Sequence, residues 1–147
     1  MKKEETFISK FIKPSLEKVS KFIDKEDFVN CSIDIHNLGI IIRNILENYD
    51  IECSEPEMLS YDNPFHVSLI INIPFVTIDI GFKKNEDDLI EYEIRIENQS
   101  TKIKRKYSTE NFEFFEKYII GYLSSYTQLY EILRKTKNMD LANNSID

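Results

Sequence analysis

The chain has 147 residues, of which 31% are charged and 41% are apolar, and its formal net charge is −7. This size and composition are typical of one folded domain, and no apolar run is long enough to span a membrane. The acidic balance argues against direct binding to nucleic acid, which needs clustered cations to replace phosphate counterions. We therefore expect a cytoplasmic protein whose partners are neither nucleic acid nor membrane.

The first half of the chain predicts two helices with a strand between them. Residues 4–23 carry apolar side chains at steps of three and four, which predicts a helix that continues through a proline. Residues 28–35 alternate between apolar and polar types, which predicts a half-buried strand. Asn37 suits the N-cap of a helix over residues 38–49, and residues 51–64 contain the breakers of a loop.

The middle of the chain predicts an antiparallel meander. Residues 65–73, 76–82 and 89–98 each alternate between apolar and polar side chains, and short turns separate them. The basic stretch at 102–106 predicts a fourth short strand or a loop. We expect its charges to neutralise the acidic sheet beside it.

A long helix is predicted over residues 110–135, capped by Ser108 or Thr109. The polar residues 137–147 predict a flexible tail. The predicted order is therefore α-β-α-β-β-β-α. It indicates a single α+β domain over residues 1–136, with an antiparallel sheet of three to four strands and the helices packed on one face.

The negative charge is concentrated in the middle of the chain. Between Phe28 and Gln99 there are 14 acidic and 4 basic residues, a net charge of −10. An acidic surface speeds encounter with a basic cleft and can then occlude it. We therefore predict a non-enzymatic protein-binding module that inhibits or neutralises a basic, nucleic-acid-handling protein, as toxin-immunity proteins and phage anti-defence proteins do. The predicted contact residues lie on the outward sheet face and at the turn before the third predicted strand: Asp79, Glu86, Asp87, Asp88, Glu91, Glu93 and Glu97.

Two alternatives stay open. Asp79 on one strand, with Glu93 and Arg95 on the next, is similar to the arrangement in restriction-type nucleases and would suit a metal-dependent hydrolase. Arg95 stands where such nucleases have a lysine, and its guanidinium stays protonated. The sequence has no close pair of metal ligands and no nucleophile motif, so the favoured expectation is no metal and no cofactor.

The second alternative is an acidic chaperone or assembly factor that forms a homodimer through the C-terminal helix. Tyrosines recur there every four residues, and tyrosine is favoured where one end of a side chain is dry and the other wet. These residues are Tyr118, Tyr122, Tyr126 and Tyr130.

Overall fold

The computed structural model describes residues 7–25, 27–61 and 66–144. The elements in this part of the chain are α1 (Phe7–Asp24), α2 (Phe28–Asn48), β1 (Glu57–Tyr61), β2 (His66–Ile73), β3 (Val76–Lys84), β4 (Ile90–Asn98), β5 (Lys104–Thr109) and α3 (Phe112–Asn144). The predicted α+β class is confirmed. The order differs from the prediction, because two helices precede one five-stranded antiparallel sheet and a third helix follows it.

The sheet is a simple meander, with its strands side by side in chain order from β1 to β5 and every neighbouring pair antiparallel. The three strands predicted by alternation are β2, β3 and β4. The basic stretch continues into β5, and the predicted loop at 51–64 contains the short strand β1. Residues 62–65, including the predicted start of the first meander strand, lie outside the described part.

The helices cover one face of this sheet. α2 lies over β1 and β2, α1 lies against α2 and over β3 and β4, and α3 crosses β4 and β5. Alternate strand residues point into this layer, as in the row Leu69, Ile80 and Ile94, all of which are buried. A void of about 10 Å³ between the sheet, α2 and α3 is too small to hold a ligand. In the described residues, no helix is long and apolar enough to cross a membrane.

The strand predicted at residues 28–35 is wrong, because this segment forms the first two turns of α2. Cys31 and Ile35 are fully buried, whereas Val29 and Ile33 are 68% and 53% exposed. In a strand these four side chains would share one face, but in a helix they separate into an inner pair and an outer pair. The alternation therefore reflects a helix that is apolar on two sides.

The helix caps also differ from the predicted positions. The carboxylate of Asp27 accepts a hydrogen bond from the backbone N–H of Asn30, so the cap of α2 lies ten residues before the predicted cap at Asn37. The side chain of Asn111 likewise accepts from the backbone N–H of Phe114 and caps α3, slightly after the predicted position. In both cases a nearby Asx residue satisfies the free N–H groups at the helix start.

The helix α3 continues to Asn144, past residue 137 where the sequence predicts a tail, and residues 145–147 lie outside the described part. Its predicted apolar face is buried at Phe115 and Leu123, but Leu129 and Leu133 are 56% and 48% exposed. The reason is length. This helix spans about 50 Å, whereas strands of eight or nine residues span about 30 Å, so its end extends beyond the sheet.

Gly39 marks a close approach of α2 to the chain beneath it. A Cβ at this position would lie 2.8 Å from Pro56 Cβ and 3.0 Å from Leu69 Cδ1. We expect Gly39→Ala to lower the free energy of unfolding by about 1 to 2 kcal/mol, because the clash outweighs the better helix propensity of alanine. The matched variant Gly121→Ala meets no atom within 4 Å and should raise stability by up to about 1 kcal/mol. Urea unfolding checks both, and shifts of the same sign would contradict this account of α2 packing.

Candidate protein-interaction site

The outward face of the sheet, which the sequence predicts as an acidic contact surface, balances its own charge. By the strand register, four carboxylates and four cations lie on the outward face of β3, β4 and β5. The carboxylates are Asp79, Glu91, Glu93 and Glu97, and the cations are Lys83, Arg95, Lys104 and Lys106. The formal charge of this set is zero, so the net charge of the protein resides elsewhere.

Glu93 is the centre of this outward charge network and is only 3% exposed. Its Oε1 lies 2.9 Å from Lys106 Nζ and 3.2 Å from Lys83 Nζ, and its Oε2 lies 3.5 Å from Arg95 Nη2. Burial alone would raise the pKa of Glu93, but hydrogen bonds and charges from the two lysines outweigh burial and hold the pKa below its ordinary value. Glu93 is therefore an ionised group that is already surrounded by cations.

The other three carboxylates of the face also have partners. Ser108 Oγ donates a hydrogen bond of 2.6 Å to Glu91 Oε1, and Lys104 Nζ lies 3.7 Å from Glu97 Oε2. Asp79 is half-buried, and this burial raises the pKa of its carboxyl group, while its partners Arg95 and Ser68 offset part of that rise. A partner that used these groups would first have to displace contacts within the chain.

The hydrolase alternative uses Asp79 and Glu93, which lie diagonally across β3 and β4. The oxygens of Glu93 that would bind a metal ion are occupied by three cations, as given above. Within residues 7–25, 27–61 and 66–144, no group of three or more His, Cys, Asp and Glu side chains is placed to hold a metal ion. This alternative stays a prediction.

The predicted residues at the β3–β4 turn are placed differently. Glu86, Asp87 and Asp88 are exposed, and only Asp88 lies near a cation, with Lys84 Nζ at 3.4 Å. The side chain of Asn85 accepts two backbone hydrogen bonds and orders the turn. Of the seven contact residues predicted from sequence, these three offer carboxylates to the solvent.

A second acidic region lies at the opposite end of β3, where α2 ends. The chain between α2 and β1 is flanked by two open cavities of about 500 Å³ each, which share Glu52 and Cys53. One cavity reaches Tyr130 of α3 and the other reaches Pro74 in the β2–β3 turn. We call the two cavities together the Glu52 groove. Three carboxylates line it, Glu47, Asp50 and Glu52. Two more follow along the chain, Glu55 and Glu57, and Glu57 shares the outward sheet face with Asp79 by the strand register.

The Glu52 groove keeps an excess of negative charge. Glu47 pairs with Arg43 at 3.1 Å, and Asp50 pairs with Arg134 at 2.9 Å. The other three acidic residues have no ion pair among the described residues: Glu52, Glu55 and Glu57. The C-terminal end of α2 adds a partial negative charge at the same place, and acidic residues there cost stability rather than add to it.

An exposed aromatic ring stands beside this groove on a strained turn. Phe75 has a φ angle of 76° and is 60% exposed. It follows Pro74, at the position where a type II turn prefers glycine, and a non-glycine residue there costs about 1 to 2 kcal/mol. The amide of Gln99 donates to Ile73 O at 3.1 Å, and Tyr126 Oη donates to Pro74 O at 2.6 Å. Two side-chain hydrogen bonds thus stabilise a turn whose backbone strain would be lower with glycine at position 75.

The tyrosine row of α3 is packed within the chain. Tyr118 stacks on Tyr107 with ring centroids 4.5 Å apart, and the rings of Tyr122, Tyr126 and Tyr130 stack in series at 6.4 and 6.1 Å. Burial raises the pKa of Tyr122 and of Tyr126, whose hydroxyl bonds the turn described above. Self-association through this row stays a prediction, and most of its surface already serves intramolecular contacts.

The sequence showed that acidic residues are concentrated in the middle of the chain, but the predicted contact residues included neither the groove residues nor Phe75. A signal was present, because five acidic residues fall between positions 47 and 57. A Pro-Phe pair also occupies a turn where glycine is usual. Neither signal shows by itself that the two features lie at the same end of the sheet.

Comparison of the chain with protein-family models, with curated proteins and with solved structures gives no match. Function is therefore inferred from the chemistry of these surfaces alone.

Proposed function

We propose that this protein is a binding module for a basic protein partner, and that it acts by occupying that partner's cationic surface. An inhibitor or neutraliser of a nucleic-acid-handling protein fits this role, because such proteins present the cationic clefts that an acidic surface finds fastest. The proposed contact is the Glu52 groove together with Phe75.

The observation that carries the proposal is the contrast between two sets of carboxylates. On β3, β4 and β5, the carboxylates of the outward sheet face are matched by cations in equal number. Glu52, Glu55 and Glu57, which lie on the chain after α2 and at the start of β1, are exposed and have no ion pair in the described residues. Unpaired surface charge contributes little to the stability of the free protein, but it raises the association rate and influences the choice of partner.

Phe75 supplies the apolar part of the contact. Strong interface contacts centre on large, rigid side chains, with aromatic residues enriched in the interface core and charges around them. The ring of Phe75 is 60% exposed, beside an acidic rim, on a turn fixed by two side-chain donors. Strained backbone retained at an exposed aromatic residue is consistent with a binding role.

The test begins with affinity capture from cells that express the tagged protein, with washes at low and at high salt. We expect a single basic partner in stoichiometric amount that salt releases, because exposed charge contacts are screened. The captured partner is then purified, and its affinity is measured by calorimetry against variants of the groove.

Charge reversal at three groove positions is expected to weaken binding at least about tenfold, which corresponds to about 1.4 kcal/mol. The groove variant is Glu52→Lys/Glu55→Lys/Glu57→Lys. The matched control is Glu86→Lys/Asp87→Lys/Asp88→Lys, which makes the same change of charge at the other end of β3 and should weaken binding less. A larger loss from the control would assign the contact to the turn predicted from sequence, and no loss from either would reject an acidic contact altogether.

A second variant of the same site separates binding from stability. Phe75→Gly should raise the free energy of unfolding by about 1 kcal/mol, because glycine accepts the positive φ angle. The same variant should weaken partner binding, because the exposed ring is lost. If Phe75→Gly is more stable and binds the partner with unchanged affinity, Phe75 is not part of the contact. The charge reversals then decide whether the acidic residues of the groove are.

A further inference from the structure

A row of exposed side chains without charge runs along α2 between positions 29 and 44, with Asp34 and Arg43 at its sides and Glu47 after its end. Five exposed side chains follow one another along it at steps of four, four, three and four residues: Val29, Ile33, Asn37, Ile40 and Asn44. The three aliphatic members are 68%, 53% and 39% exposed in chain order. We call these five residues the α2 stripe. In a chain in which 31% of residues are charged, an exposed stripe of five residues with three aliphatic members and no charge is unexpected.

The opposite face of α2 is fully used within the chain. Cys31, Ile35, Leu38 and Ile42 are at most 1% exposed, against α1 and the sheet. A helix that is apolar on both sides is normally buried on both sides. The α2 stripe therefore resembles a contact surface that another molecule would cover.

The spacing and chemistry of the stripe suit a second copy of the same helix. Ile33 and Ile40 are seven residues apart, as are Asn37 and Asn44, which is the repeat that keeps a seam facing a neighbouring helix. An asparagine amide carries both donors and an acceptor, so it can pair with the same residue of an identical chain. Asparagine within such a seam also favours one register over others.

The net charge of the protein also favours a second copy of the chain as the partner of the α2 stripe. Two copies of a chain with a net charge of −7 repel each other at most surfaces, and the uncharged stripe is where they can approach at least cost. Another pair of exposed aliphatic residues, Leu129 and Ile132 on α3, lies beside the Glu131–Lys135 ion pair at 3.4 Å and forms no comparable row. A seam depleted of charge is typical of the centre of an interface.

We propose that the α2 stripe is the contact between two copies of this protein, related by a two-fold axis. This surface differs from the tyrosine row of α3 that the sequence suggested for self-association. Its last member, Asn44, lies one helical turn before Glu47, which lines the Glu52 groove, and a dimer would carry two such grooves.

Light scattering after size exclusion tests the proposal on the full chain. We expect a mass of about 35 kDa at high micromolar concentration, twice the 17.5 kDa of one chain. Ile33→Glu/Ile40→Glu should give the monomer mass with an unchanged far-ultraviolet circular dichroism spectrum, because it places charge in the seam. The matched control Leu129→Glu/Ile132→Glu makes the same substitutions on α3 and should stay dimeric. A monomeric wild type, or a dimer lost only in the control, would overturn the proposal.

A crosslinking variant keeps the test decisive if the double substitution impairs folding. Both native cysteines are buried, so Asn37→Cys would add the accessible thiol. Under mild oxidation we expect a disulfide-linked dimer on a non-reducing gel, with none for Thr136→Cys on the exposed part of α3. Absence of a linked dimer from a folded Asn37→Cys protein would overturn the proposal.

Discussion

Glu93→Lys is expected to lower the free energy of unfolding by about 4 kcal/mol. The substitution places a cation at a site that is 3% exposed and already faces Lys83, Arg95 and Lys106. Removing one member of a buried ion pair lowers stability by about 3 to 5 kcal/mol. Solvation of the half-exposed partners reduces this loss, but repulsion from the added lysine increases it again. Urea unfolding followed by circular dichroism measures the change.

Glu97→Lys is the matched control on the same strand and the same face. Its carboxylate pairs with Lys104 at 3.7 Å, and both side chains reach solvent, so the cost should stay below about 1 kcal/mol. Equal losses from the two substitutions would contradict the central place of Glu93 in the charge network.

The acid dependence of stability should also depend on Glu93. Its pKa lies below the ordinary value of 4.5 in the folded state, so its ionised form stabilises the fold. That contribution is fully present above the ordinary pKa and is lost as the pH falls through the lowered pKa. Glu93→Gln should therefore be less stable than the wild type at neutral pH and should converge with it in acid. A constant difference at every pH would contradict the assignment.

Phe115→Ala is expected to cost about 3 to 5 kcal/mol, because it empties the centre of the aromatic core. Phe115 is fully buried, stacks on Tyr92 with centroids 4.8 Å apart and meets Phe82 edge-on at 5.4 Å. Tyr92 in turn shares a hydrogen bond of 2.7 Å with Ser20 of α1, so this cluster joins α1, α3 and the sheet. Thermal and urea unfolding should both report the loss.

The neighbouring residue gives the control. Phe114 is 57% exposed, and Phe114→Ala should change stability by less than about 0.5 kcal/mol. Similar losses at the two positions would mean that α3 is rotated about its axis relative to the arrangement described here. The helical periodicity predicts this difference, because adjacent residues on a helix point about 100° apart.

The sequence predicted the meander strands β2, β3 and β4 well, because their apolar residues alternate strictly and only one face of the sheet is covered. It failed at residues 28–35, where Val29 and Ile33 are apolar but exposed. Pattern reasoning assumes that apolar residues face the core of their own chain. The α2 stripe breaks that assumption, and only the position of α2 over β1 and β2 reveals which residues of the alternating set are inside.

By itself, the sequence determined the α+β class, the local periodicities and the concentration of negative charge in the middle of the chain, since these depend on residue type and spacing. The tertiary structure decided which charges are free. Strand pairing brings the cations Lys104 and Lys106 to Glu97 and Glu93 on the neighbouring strand, and so the outward face of β3, β4 and β5 is neutral. The tertiary structure also brings the end of α2, Glu52 and the turn at Phe75 to one end of the sheet. Which charges are paired depends on distances in space, and residue type and spacing alone do not give those distances.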